Sequence, residues 1–324
     1  MVPSLFALAL VVVKQPEAAG FAVFATFAHL ILVNYDPVGT ARFAQAGMLT
    51  VFGLITVALG TLVSDNAWLA VGGVCAAGFL SELPRMARRR IASIRGALLL
   101  SFLCAVATPA PARDILPRLA GWVVAGLIAQ PALLLVWISF RHGNAETASS
   151  SNSAVSGVTA DQSIWPGKAL RTGLAFGFAI LLTRLINVEH AFWVVLGVLP
   201  VLNATSGVAR AFWQEQAGTV IGFSVSAVIV TLIGEHQAWY WLILPMVVFI
   251  STYAASAIGF VPGQAAFTVF AVVLFCILLP QQQPAGILRL EDIAIGGAVS
   301  LVVAALLRLG QRGFVASRQS MVKL

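Results

Sequence analysis

Long apolar runs separated by short polar turns fill most of the chain. The runs are continuous, not alternating, and most approach or reach the length of a helix that crosses a membrane. Continuity at that length selects helices over strands, and crossing a hydrocarbon layer about 30 Å thick takes about 20 helical residues. Spans are expected near 2–13, 16–33, 45–63, 67–83, 92–108, 117–139, 170–186, 190–204, 214–233, 238–258, 263–280 and 293–309. The first, Val2 to Val13, is short for a crossing, since a helix rises only about 1.5 Å per residue. The pattern therefore predicts an all-α polytopic membrane protein of about twelve transmembrane helices.

Composition agrees. The chain is 60% hydrophobic and 10% charged, with a mean hydropathy of +0.95, and a soluble core cannot hide that much apolar surface. Without water in the bilayer core, backbone groups must be satisfied within helices or a closed barrel. Cys75, Cys104 and Cys276 all lie inside apolar runs without paired or CxxC spacing, so they read as small buried hydrophobes. The first apolar run has no basic flank before it and ends at Lys14-Gln-Pro-Glu17 without a cleavage site, so no cleavable signal is expected.

A net charge of +7 raises nucleic acid as a partner, but the basic residues sit at span ends, where they orient a membrane protein. With the N-terminus inside, the cytoplasmic segments hold fourteen Lys and Arg, among them Arg42, Arg85, Arg88, Arg89, Arg90, Arg210 and Arg308. The outer side keeps five: Lys14, Arg113, Arg118, Arg184 and Arg289. Both termini are therefore expected on the cytoplasmic side, with the lipid bilayer as a partner and no nucleic acid.

Between Arg141 and Trp165 the composition turns to serine and other small polar residues without periodicity, which reads as a flexible cytoplasmic linker over 141–165. It separates a first transmembrane repeat, 1–140, from a second, 166–310, followed by a tail, 311–324. Gln45-Ala46-Gly47 precedes Trp68 by the same spacing at which Gln216-Ala217-Gly218 precedes Trp239. With six spans each, the halves would be parallel repeats related by an axis along the membrane normal.

The polar residues that could meet a solute concentrate between Glu189 and Gly222. At about 100° per residue, His190, Trp193, Gly197 and Pro200 fall within an arc of about 80° on one helix. In one reading Trp193 stacks on a planar ligand while His190 and Arg184 attract its carboxylate, with Arg210 as an inner-mouth cation. In the other, Trp193 and His190 anchor the helix in the headgroup layer and Arg210 only orients the chain. Gly218, Gly222 and Ser226 form a ladder of small residues suited to close helix packing. No Asp or Glu is expected near the centre of a span, which leaves His29, Glu82 and Glu189 as candidates for proton coupling. Walker, HExxH and GxSxG motifs and metal-ligand spacings are absent, so neither enzymatic chemistry nor a metal or cofactor is expected.

At these residues the chain resembles the fusaric acid resistance-like (FUSC), or aromatic acid exporter, family of inner-membrane transporters. In the second half the resemblance rests on Ala169-Leu170-Arg171, His190-Ala-Phe-Trp193, a turn with Thr205 and Arg210, and Gly218-Thr219-x-x-Gly222. In the first it rests on Phe24-Ala-Thr-Phe-Ala28, Asn34-Tyr-Asp36-Pro-Val-Gly39, Arg42 and Leu59-Gly60-Thr61 before Ser64. The resemblance implies export of aromatic and other organic acids by two six-helix membrane blocks with soluble cytoplasmic domains attached. This chain departs from it in carrying only the linker and a short tail in place of such domains, and in having Gln214 and Glu215 where the family often places a second arginine. An efflux transporter for small organic acids is thus the expected function. The alternatives are a passive anion channel and a non-transporting membrane subunit, either as a homo-oligomer or beside an accessory chain.

Overall fold

The computed structural model describes residues 16–31, 33, 35, 41–83, 89–140, 165–187, 191–202, 208–278 and 294–306. The expected first span, residues 141–164 of the linker, the tail, and Glu189 and His190 lie outside them, while Trp165, expected to end the linker, belongs to a helix. The described residues are helical throughout apart from turns, with no strand among them. They divide into two compact units, Met1–Leu170 and Arg171–Leu324.

The first unit contains α1 (Pro16–Ile31), α2 (Ala41–Ser64), α3 (Ala67–Ser81), α4 (Arg89–Ala107) and α5 (Ile115–Phe140). Helix α1 lies along α5, and α2 packs against both α4 and α5. Small residues permit the approach. A side chain at Gly121 would strike the Ala18 carbonyl, and one at Gly60 would strike Ala105 and the Phe102 carbonyl. Gly53 leaves room for the indole of Trp122, a fully buried ring whose Nε1 donates to the Thr50 carbonyl at 3.1 Å. Around it pack Phe21, Ala25, Leu49, Val57, Ile94 and Ala97. Asn66 starts α3, its Oδ1 accepting from the backbone N–H groups of Trp68 and Leu69 at 3.0 and 3.1 Å.

The second unit carries α6 (Trp165–Leu185), α7 (Ala191–Leu202), α8 (Val208–Ile233), α9 (Gln237–Tyr253), a π turn at Ala254–Ile258, α10 (Phe260–Leu278) and α11 (Ala294–Leu306). The first turn of α6 groups with the first unit, where Lys168 Nζ meets Glu82 Oε2 at 3.1 Å. Asn187, with φ of 50°, follows the end of α6, and Gly234, with φ of 60°, follows α8; both take the left-handed conformation that closes a helix. Helix α8 packs closely on α10, and α10 on α9.

The distribution of polarity is that of a membrane protein. Along α2 the exposed side carries Val51, Phe52, Ile55, Leu59 and Leu62, while Gln45, Thr61 and Ser64 are buried. Along α8 the exposed side carries Val220, Ile221, Val225, Val228 and Leu232. Among the described residues, four stretches are long and apolar enough to cross a bilayer by length and composition: Ala41–Ser64, Ala112–Leu135, Ala209–Ile233 and Phe260–Ile277. Shorter apolar helices cover Ala67–Ser81, Ser93–Ala107, Gln237–Ser251 and Ala294–Leu306. Each span expected from residue 16 onward falls on a helix.

Candidate functional site

Helix α7 holds the stripe that sequence singled out. Trp193 is 7% exposed, its ring 5.3 Å from Phe192 and 5.6 Å from Phe275 of α10, both tilted. That setting contrasts with Trp68 and Trp239, which are 76% and 55% exposed on the first turns of α3 and α9 and fit an interfacial belt. Gly197 faces elsewhere: with Val194 it abuts Gly296 of α11, where an added Cβ would strike the Val194 carbonyl. The stripe therefore divides, Trp193 toward α10 and Gly197 toward α11. Helix α7 continues through Pro200 to Leu202, so the proline sits in the final turns and does not break the helix. Arg184, in the last turn of α6, is half-buried, and Arg210, in the first turn of α8, is exposed.

Helix α8 carries a feature that the span boundaries obscured. It begins at Val208, so Glu215 stands two turns inside it, 1% exposed. The sequence leaves only the centres of the spans without a carboxylate, and Glu215 lies off the centre of α8 yet is buried within it. Glu215, Thr219, Gly222 and Ser226 recur at i, i+4, i+7 and i+11, and all four are buried on one face. Beside them Gly218 meets Val261 and Gln264 of α10, and Gly222 meets Ala265 and Thr268. On the other flank Phe212 and Gln216 meet Gly297 of α11. By helical register, Glu215 and Thr219 point at the seam between α10 and α11. The hydroxyls of Thr219, Ser226 and Thr268 donate to carbonyls one turn back, Glu215, Gly222 and Gln264, at 2.7–2.9 Å. An ionisable group in a membrane helix is costly to bury, which makes such a position a default candidate for function.

The first unit brings its own candidates into defined company. His29 is fully buried; its Nδ1 lies 2.7 Å from the Ala25 carbonyl and its Nε2 3.1 Å from Thr50 Oγ1. Because a carbonyl only accepts, Nδ1 carries a hydrogen. Thr50 Oγ1 also lies 2.9 Å from the Ala46 carbonyl. Its hydroxyl can thus donate to a neutral His29 ring, or turn to Ala46 and accept from a protonated one. Glu82, in contrast, is taken up by Lys168. Arg118, expected on sequence grounds as an orienting charge at the outer end of a span, is 3% exposed inside α5. Its Nη1 donates to Thr61 Oγ1 and the Ala105 carbonyl at 3.2 and 3.3 Å, and its Nη2 to the Thr108 carbonyl at 2.7 Å. Among the described residues no three His, Cys, Asp or Glu side chains gather as metal ligands.

Residues 178–303 match the family model described as fusaric acid resistance protein-like. Over this stretch the chain is similar to that family. No curated protein and no solved structure matches. The fusaric acid resistance protein-like stretch contains Arg184, Trp193, Gly197, Glu215, Gly218, Gly222 and Ser226, so the α7 stripe and the α8 polar face both fall within it. His29, Glu82 and Arg118 lie outside it. The match indicates a membrane protein with a transport-related function.

Proposed function

We propose that the chain is an inner-membrane transporter that exports small planar organic acids, coupled to protons through Glu215. The observation that carries this reading is a carboxylate buried two turns inside a membrane-class helix, within the stretch that matches the family. The family's description names resistance to an organic acid, and export is the direction of transport that confers resistance. A planar substrate is supported by Trp193, enclosed by Phe192 and Phe275 on the neighbouring helix of the same unit. In a passive anion channel, a buried carboxylate on the path would repel the permeant ion, so Glu215 favours coupled transport over that alternative.

The experiment is export of radiolabelled aromatic carboxylates from reconstituted vesicles, wild type against Trp193→Phe. Replacement by Ala would leave a cavity and cost about 3–5 kcal/mol, confounding function with folding. Phe keeps the packing but shortens the aromatic plate. Export of the larger substrates should fall several-fold relative to benzoate at equal protein abundance. An unchanged substrate profile would remove Trp193 from recognition, and no flux of any carboxylate would refute the transporter reading.

A further inference from the structure

Arg118 of the first unit holds an arrangement that structural anchoring does not exhaust. Three contacts through Nη1 and Nη2 fasten its guanidinium to α2, to α4 and to the turn after α4. Of the N–H groups left over, that of Nε faces Glu17 Oε2 at 3.7 Å, which is an ion pair but too long for a hydrogen bond. Both atoms are buried and neither has a hydrogen-bond partner. A charged donor and a charged acceptor thus face each other across a gap that a charge-assisted bond of about 2.8 Å would close.

The gap follows from the backbone. Glu17 and Ala18 share the first turn of α1, and the Ala18 carbonyl sits against Gly121, one turn along α5 from Arg118. Helix α1 has no room to move nearer, so Glu17 reaches Arg118 only at arm's length. The Phe21 ring, one turn further along α1, covers the guanidinium at 4.9 Å from its centroid. Glu17 is 41% exposed, so its side chain has solvent into which it can swing. Nearby, Asp114 is paired with exposed Arg113 at 3.9 Å, so the local charge without Glu17 is positive.

We propose that Arg118 is the anchor of a carboxylate-binding site at this end of the first unit, and that Glu17 is a tethered carboxylate that occupies it until a free one displaces it. A diffusible carboxylate is not held back by the α1 backbone and can complete the bond that Glu17 cannot. This site does not depend on the transport reading, because binding alone tests it.

The test is calorimetric titration of the purified full chain in lipid nanodiscs with benzoate, and with benzyl alcohol as a neutral probe of similar shape. Glu17→Gln keeps the side-chain volume and removes the competing charge, and helical circular dichroism checks that the variant folds. It should tighten benzoate binding about tenfold and leave benzyl alcohol unaffected. The gain should persist when Trp193→Phe is added. Benzoate binding no tighter than in wild type would overturn the proposal. So would an equal gain for benzyl alcohol, or a gain that disappears with Trp193→Phe and therefore belongs to the second unit.

Discussion

At the scale of single residues, Glu215 and Arg118 show how a charge in a membrane protein changes meaning with its depth. Each lies within a few residues of where an apolar run begins, and each is buried because its helix starts earlier than the run. For Glu215 the consequence is a prediction about energy coupling. Glu215→Gln conserves shape and removes the titratable charge. Export driven by an imposed pH gradient should fall at least about tenfold, while exchange of labelled for unlabelled substrate across the same vesicles continues. Loss of both activities at normal abundance would make Glu215 a binding or structural residue; loss of neither would leave it without a role in transport. Trp193 stands out in the sequence as a candidate, because a Trp following a histidine at the head of an apolar run is conspicuous, but its burial against Phe275 is not legible there. Glu215 was legible only through the spacing of Glu215, Thr219, Gly222 and Ser226, which becomes visible once the helix is allowed to begin in the polar turn. Arg118 was not legible: its acceptors on Thr61, Ala105 and Thr108 are distant in sequence, and no local pattern marks them.

At the scale of elements, hydropathy locates the helices well, because each run must satisfy its backbone internally and the turns between them are short. It says less about which faces meet. Glycines supply that information, and their neighbours divide them sharply. An added Cβ at Gly222 would press into the Ala265 carbonyl and the Thr268 side chain of α10. At Gly72 of α3 it would meet nothing. Gly222→Ala should therefore destabilise the protein by about 1–3 kcal/mol through forced separation of α8 and α10. Gly72→Ala should be neutral or stabilising by up to about 1 kcal/mol, since Ala is the better helix former. Thermal unfolding in detergent, followed by helical circular dichroism, separates the two. Equal midpoints for both variants would mean that the α8–α10 contact contributes little to stability.

At the scale of the whole molecule, the two halves share a helix order. The shift in numbering that carries Gln45 onto Gln216 also carries Arg89–Ala107 onto Phe260–Leu278, and Ala67–Ser81 onto 238–252, within Gln237–Tyr253. In each half the helix before this pair also packs on its second member, α2 on α4 and α8 on α10. Burial of Arg118 removes it from the charges that orient the chain, leaving four on the expected outer side against fourteen on the inner. The Lys168–Glu82 pair does not weaken that bias, because acidic residues contribute little to orientation. Reporters placed in the 141–164 segment and after Leu324 should therefore both be cytoplasmic, with α6 to α11 making six crossings between them. The helix on which this depends is α7, whose 12 described residues extend about 18 Å against a hydrocarbon layer of about 30 Å. Reporters on opposite sides would mean an odd number of crossings. Helix α7 would then be the one that enters without traversing, placing Trp193 on a re-entrant element enclosed by α10 and α11.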